Sequence, residues 1–340
     1  METEIEPWAV RAAPTGPRAR SSKRGRSLRS RARFGAAAEA AEAAEAVEAL
    51  EAEIRGVLLA TFGRGVVTLR VRGTERTLEI HRISSGGFNT VYALPALPRY
   101  VLRVSSTALG VEDRRAYHRE IAVQRKLAKL RLSPRVFAVV HAGERVGVFM
   151  ERFDATLEDV LRVREHAQRV FGEHDGEGAL IELMMRVSRV ASCVDTKAAN
   201  VVLRLAPVEL AVIDVDPYFC RARRGSECAD FAECVRLGAP ASAVHAAVSL
   251  LILVLEAARI PRAAGAFPRI VGALLGSWRV VERALRADER NGAQVSAMDQ
   301  IRHYTGIRTP AGVRRALDSM ARAHKKSFVV FSRGAKKKRG

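Results

Sequence analysis

The chain has 340 residues, 48% of them hydrophobic, so it can bury one large core or two lobes and lacks the composition of a disordered protein. Its formal net charge of +20 points to an acidic partner such as nucleic acid, a membrane surface or an acidic protein, because such a field concentrates polyanions. Four cysteines, Cys193, Cys220, Cys228 and Cys234, form no CxxC pair, have no histidine at zinc-finger spacing and follow no secretory signal, so free thiols in a reducing compartment are the expectation.

Two stretches hold much of the charge: Arg18 to Arg33 (RARSSKRGRSLRSRAR) and Lys325 to Arg339 (KKSFVVFSRGAKKKR). Neither has apolar periodicity, so residues 1–35 and 321–340 are expected to be basic, solvated, disordered tails, with nuclear import or nucleic-acid contact as their candidate uses. Between the first tail and the rest, residues 36–54 (AAAEAAEAAEAVEALEAEI) repeat Glu about every third residue among strong helix formers, the pattern of an exposed amphipathic helix.

From Gly56 to Val104 the texture becomes β-rich: VVTLRVR, RTLEIHRI, TVYAL and YVLRVS are separated by Gly, Pro and charged turns, which predicts an antiparallel sheet. Glu112 to Leu130 then places Tyr117, Ile121, Leu127 and Leu130 at helical spacing. Val136 to Phe149 returns to strand texture around a Gly-containing turn, and beyond Arg152 the chain reads as mainly helical. Ala241 to Ala258 (ASAVHAAVSLLILVLEAA) approaches membrane-spanning length, but His245 and Glu256 within it favour a buried core helix, so no membrane span is expected.

The chemistry lies in five motifs. Ile83-Ser-Ser-Gly-Gly-Phe-Asn-Thr-Val-Tyr92 resembles the glycine-rich loop of protein kinases, IGxGxFGxVY, at Ile83, Gly86, Phe88, Val91 and Tyr92, with Ser84 and Asn89 in place of the first and third glycines. Small residues such as Ser84, Ser85, Gly86 and Gly87 suit a turn whose backbone N–H groups approach phosphates. Tyr100-Val-Leu-Arg103 aligns with the kinase VAIK strand, but carries Arg103 where the phosphate-gripping lysine belongs. Glu120, seventeen residues later, stands where the kinase helix glutamate pairs with that cation. Val148-Phe-Met-Glu-Arg-Phe153 resembles the interlobe hinge, with Met150 as gatekeeper and Glu151 and Phe153 beside adenine. Cys193-Val-Asp-Thr-Lys-Ala-Ala-Asn200 keeps the Asp, Lys and Asn of the catalytic loop HRDxKxxN, and Ala211-Val-Ile-Asp-Val-Asp216 resembles the DFG segment, with Asp216 where glycine is usual.

The chain is thus identified, by resemblance over residues 79–220, with the protein-kinase-like superfamily, and its divergent C-terminal half resembles kinase-like proteins of large DNA viruses. The resemblance implies an α+β, bilobal fold: a small antiparallel sheet with one helix over residues 55–150, and a mainly helical lobe over 151–320. It implies ATP and Mg²⁺ as cofactors and a protein substrate phosphorylated on Ser or Thr. Asp195 would accept the substrate hydroxyl proton, Lys197 would stabilise developing phosphoryl charge, and Asn200 and Asp214 would hold the metal. The implied setting is inside a cell, cytoplasmic or nuclear, with a virus-infected host as one case. Arg103, Ser84, Asn89 and Cys193 favour an alternative, a pseudokinase acting as a nucleotide-binding interaction module. A small-molecule kinase is a further alternative that Lys197 argues against, and a nucleic-acid-binding protein rests on charge alone.

Overall fold

The computed structural model describes Ala49 and residues 59–71, 74–190, 196–214, 241–261, 263–290 and 297–336. The basic stretch 1–35, nearly all of the Ala/Glu-rich segment, the four cysteines, Asp195 and Asp216 lie outside these residues. The architecture is mixed α+β: an eight-stranded sheet with one long helix precedes a largely helical region that carries a small three-stranded sheet.

The large sheet is built from β1 (Leu59–Phe62), β2 (Val66–Val71), β3 (Thr74–Glu79), β4 (His81–Ser85), β5 (Asn89–Ala93), β6 (Tyr100–Ser105), β7 (Val136–Ala142) and β8 (Arg145–Glu151), in the order β3-β2-β1-β7-β8-β6-β5-β4. All neighbours run antiparallel except β1 and β7, which meet in parallel at Leu59 and His141. The expected antiparallel sheet is therefore present, with this one parallel contact. The run RTLEIHRI, which reads as one strand, divides at Ile80 into β3 and β4, which lie at opposite edges of the sheet. A flat eight-stranded sheet would separate its edges by roughly 34 Å, whereas two residues span at most roughly 7 Å. The sheet therefore curls until both edges meet at Ile80, and there the Glu79 carboxylate and the His81 ring hydrogen-bond at 2.8 Å.

Two glycines are needed for this geometry. Gly143, at φ +59, makes the turn between β7 and β8. Gly147 sits mid-strand in β8, where a Cβ would lie 2.8 Å from Val140 Cγ2 and 3.2 Å from Phe62. Any side chain there would force β8 away from its neighbours.

Helix α1 (Val111–Lys129) follows β6, with Glu112 and Asp113 in its first turn and Lys126 and Lys129 in its last, the polarity that suits the helix dipole. It buries Tyr117 and Ile121 against Val146, Val148 and Met150 of β8. Leu127 is buried as its spacing predicts, but Leu130 is 44% exposed. The cause is the helix end: Leu132 N–H bonds back to the Leu127 carbonyl, closing a Schellman motif that turns the chain before Leu130 can continue the apolar stripe.

Beyond β8 come β9 (Ala155–Thr156), α2 (Leu157–Arg162), α3 (Arg164–Ala167) and α4 (Gly176–Val190), then the hairpin β10 (Val201–Leu205) and β11 (Val208–Val212). Helix α2 starts at a capping box in which Thr156 and Asp159 satisfy each other's backbone N–H groups. Helix α5 (Ala241–Ala257) is the apolar stretch noted above; Ala246, Leu250, Leu251, Leu253 and Val254 are fully buried in the core that it shares with α4 and the later helices. Its length is that of a core helix, and among the described residues no helix is long and apolar enough to cross a membrane. Helices α6 (Pro268–Gly276), α7 (Trp278–Arg290), α8 (Ala297–Thr305) and α9 (Pro310–Lys336) complete the chain. Helical backbone thus continues past residue 320, into the segment expected to be a disordered tail. Ala, Lys and Arg, frequent in this segment, are strong helix formers.

Candidate active site

The middle of β6, the middle of α1 and the open end of the β10–β11 hairpin carry Arg103, Glu120 and Asp214, and Asp214 acts electrostatically on the Arg103 guanidinium. Arg103, from β6, and Glu120, from α1, are both 6% exposed, and Arg103 Nη1 lies 2.6 Å from Glu120 Oε1. The pairing that the resemblance implies for these two residues is therefore present, and it is buried on both sides. Burial alone would lower the pKa of the Arg103 guanidinium. The Glu120 carboxylate, followed by Tyr117 and Asp214, outweighs it and raises the pKa above the ordinary arginine value.

The pair sits in a polar network that the sequence pattern did not single out. Gln124, one turn after Glu120 and fully buried, accepts from Arg103 Nη2 at 3.4 Å and donates to Met150 Sδ at 3.8 Å. The Arg103 guanidinium carbon stands 5.3 Å from the Tyr117 ring centroid. The Tyr117 hydroxyl donates to Asn89 Oδ1 at 2.8 Å, and burial pushes the phenol from 10.0 up to about 12, so it is a proton donor at neutral pH. Tyr117, Gln124 and Glu256 were missed because each reads as an ordinary helix-face residue; only their shared spacing with Glu120 on one helix could have flagged the first two.

The Ile83–Tyr92 segment forms the β4–β5 hairpin. Its tip is closed by Gly86 N–H to the Asn89 carbonyl at 2.8 Å and held to β6 by Ser106 N–H to the Phe88 carbonyl at 2.8 Å. Ser84, Ser85, Gly86 and Gly87 are exposed, Phe88 is 85% exposed and Ile83 43%, whereas Val91 is half-buried. A Cβ at Gly87 would meet nothing, so the tip leaves open space above it. Through the Tyr117 hydroxyl, α1 grips the hairpin at Asn89. Tyr117→Phe should keep the ring on Arg103 and lose this bond, lowering stability by about 1 kcal/mol. Hydrogen exchange at residues 86–90 should rise; unchanged exchange there would mean the hydroxyl does not hold the hairpin.

Met150 is 3% exposed at the end of β8. Glu151 follows it, flanked by Arg135 at 3.4 Å and by Arg204. Burial would raise the Glu151 pKa, but hydrogen bonds from the Arg135 backbone and the two guanidinium groups hold it below the ordinary carboxylate value. Half-buried Phe153 stacks against the Arg204 guanidinium at 4.9 Å.

The remaining residues come from the β10–β11 hairpin. Its register pairs Val201 with Val212, which sets Asn200 and Asp214 at the same end, and Ile213 N–H bonds the Asn200 carbonyl at 2.8 Å. Asn200 is 6% exposed. Asp214 has φ +60, a left-handed conformation uncommon outside glycine though better tolerated by Asp and Asn than by other residues, and such positions recur at functional sites. Ala198 N–H donates at 3.0 Å to the Glu256 carboxylate, so the acid within the apolar helix α5 anchors the Lys197–Asn200 turn. The Lys197 ammonium lies 5.9 Å from the Tyr304 ring centroid, on α8. Asp195 lies outside the described residues.

Two buried polar atoms here, Arg103 Nε and Thr196 Oγ1, have no hydrogen-bond partner among the described residues. Unpartnered buried donors of this kind are what an anionic ligand would satisfy. Among the described residues no group of three His, Cys, Asp or Glu side chains could hold a metal ion alone. A pair such as Asn200 and Asp214 suits Mg²⁺, which is held by one or two protein ligands and keeps waters and phosphate oxygens. No protein-family model matches the chain, and no curated protein matches it.

Proposed function

We propose that the chain is a divergent, bilobal protein-kinase-like phosphotransferase that uses ATP and Mg²⁺ to phosphorylate Ser or Thr of a protein substrate. The observation that carries the proposal is the buried 2.6 Å Arg103–Glu120 pair, which joins a strand to the helix after it, with Asp214 close enough to act on the same guanidinium. Further support comes from the sheet order β7-β8-β6-β5-β4, with α1 following its central strand β6, and from the mainly helical region that carries Asn200 and Asp214.

On this reading the cofactor supplies the transferable phosphoryl group and the metal its charge neutralisation. Arg103 would grip phosphate with Glu120 fixing its position, and residues 84–88 would cover the phosphates with backbone N–H groups. Met150, Glu151 and Phe153 would border the adenine, while Asn200 and Asp214 would hold Mg²⁺. Asp195 would accept the substrate proton, and Lys197 would offset charge developing in the transition state.

One observation favours the second reading, a nucleotide-binding pseudokinase: Arg103 is engaged by Glu120, Gln124 and the Tyr117 ring at once, which restrains it from following a moving phosphoryl group. Thermal unfolding of the chain with ATP, with and without Mg²⁺, followed by radiolabel transfer to a basic protein and to itself, separates the readings. The kinase reading expects a Mg²⁺-dependent upward shift together with transfer. A shift without transfer selects the interaction module, and no shift overturns both.

A further inference from the structure

A cavity of about 800 Å³ opens between the end of α1, helix α4 and the β10–β11 hairpin, and adjoins the candidate site at Glu151 and Phe153, which also line it. Its floor is apolar, with Leu132, Leu183 and Leu210. Five cations line it: Lys129, Arg131, Arg135, Arg186 and Arg204.

Three carboxylates, Glu151, Glu182 and Glu209, offset part of this charge. Arg135 and Arg204 flank Glu151, Arg204 also reaches Glu209 at 3.4 Å, and Arg186 reaches Glu182 at 3.6 Å. Lys129 and Arg131 have no ion pair among the described residues. Five cations against three carboxylates leave a local excess of two positive charges.

Two further observations point to a ligand. Ser133 lines the cavity and is 4% exposed, and its Oγ is buried with no hydrogen-bond partner among the described residues. Arg131 has φ +58, because it occupies the left-handed position of the Schellman motif that ends α1. Glycine is the residue this position ordinarily takes. An arginine there accepts backbone strain and places a permanent, unpaired cation at the cavity wall.

We propose that this cavity binds a phosphate monoester. A phosphomonoester carries about −1.5 to −2 charge at pH 7, which matches the local excess of two. Arginine and lysine are the side chains that bind phosphate by fork and by point charge, and the Ser133 hydroxyl adds a donor. The apolar floor accepts the organic part of the ester, and the volume lies within the roughly 300–1,000 Å³ of small-ligand sites. The proposal does not rest on the phosphotransfer reading.

The test is calorimetric titration of the full chain, at fixed ionic strength, with phenyl phosphate and separately with a phosphoserine pentapeptide. Saturable binding is expected, weakened at least tenfold in Arg131→Asn and several-fold in Ser133→Ala. Asn tolerates the left-handed backbone, so the first variant removes charge without adding strain. Arg64→Asn, which removes an exposed charge from the β1–β2 turn, should leave the affinity unchanged, and so should Asp214→Ala. Affinity for phenyl phosphate should fall between pH 7.5 and pH 5, as the ester takes up its second proton near pH 6. Tighter binding of the pentapeptide would assign the site to a phosphorylated protein segment, and equal binding to a free small ester. Absence of saturation, equal affinities in Arg131→Asn and the unaltered chain, or loss in Asp214→Ala would overturn the proposal.

Discussion

Glu120→Gln is expected to destabilise the folded chain by about 3 kcal/mol, one of the largest single-residue effects in the molecule, because it leaves the Arg103 charge buried without its closest counter-ion. Arg103 is 6% exposed, and neither water nor a surface carboxylate can replace Glu120 at 2.6 Å. The loss should fall at the lower end of the range for broken buried pairs, since Gln124 Oε1 remains at 3.4 Å and Asp214 still acts on the guanidinium. The paired change Arg103→Met with Glu120→Leu removes both charges and their desolvation together. It should recover most of the loss, because well-packed apolar replacements of buried ion pairs are often neutral or stabilising. Guanidinium denaturation midpoints of the three chains check this. A Glu120→Gln loss below about 1 kcal/mol would mean that the pair is solvated. The double variant separates fold from function: on the proposed reading it folds yet loses nucleotide affinity.

How much of this was legible in the sequence depends on the range over which each signal acts. The β4–β5 hairpin, helix α1 and the buried helix α5 follow from local patterns: Gly86–Gly87 between β-rich runs, Tyr117, Ile121 and Leu127 at helical spacing, and an unbroken apolar stretch. The Arg103–Glu120 pair was legible only through the motif resemblance, since nothing local links residues seventeen apart. The meeting of the sheet edges at Ile80 was not legible, because RTLEIHRI has continuous strand propensity and only the tertiary pairing of β3 with β2 and β4 with β5 divides it. Glu256 was read as evidence against a membrane span, whereas its carboxylate accepts the Ala198 N–H from fifty-eight residues away. Long-range polar pairing of this kind leaves no periodic trace. For the same reason, Ser133 and Arg131 gave no sign that they line one cavity.

Asp214 offers the sharper test of the site, because its backbone and its carboxylate make separable predictions. At φ +60 an alanine should be less stable than a glycine by about 1 kcal/mol, the reverse of the order found in ordinary helices and strands. Both Asp214→Ala and Asp214→Gly remove the carboxylate. On the proposed reading both therefore abolish Mg²⁺-dependent nucleotide affinity, even though their stabilities differ. A loss of binding that tracked stability would point instead to a merely structural residue. Asp195→Asn should behave differently, sparing Mg²⁺-dependent binding while reducing transfer by roughly 10²- to 10⁴-fold, the share that a positioned general base contributes. Denaturation midpoints, nucleotide titration with and without Mg²⁺, and radiolabel transfer on the three variants suffice. Alanine at least as stable as glycine would refute the left-handed backbone at residue 214. Retained Mg²⁺-dependent affinity in either Asp214 variant would remove it from the metal role and leave the phosphotransfer reading without its metal-binding carboxylate.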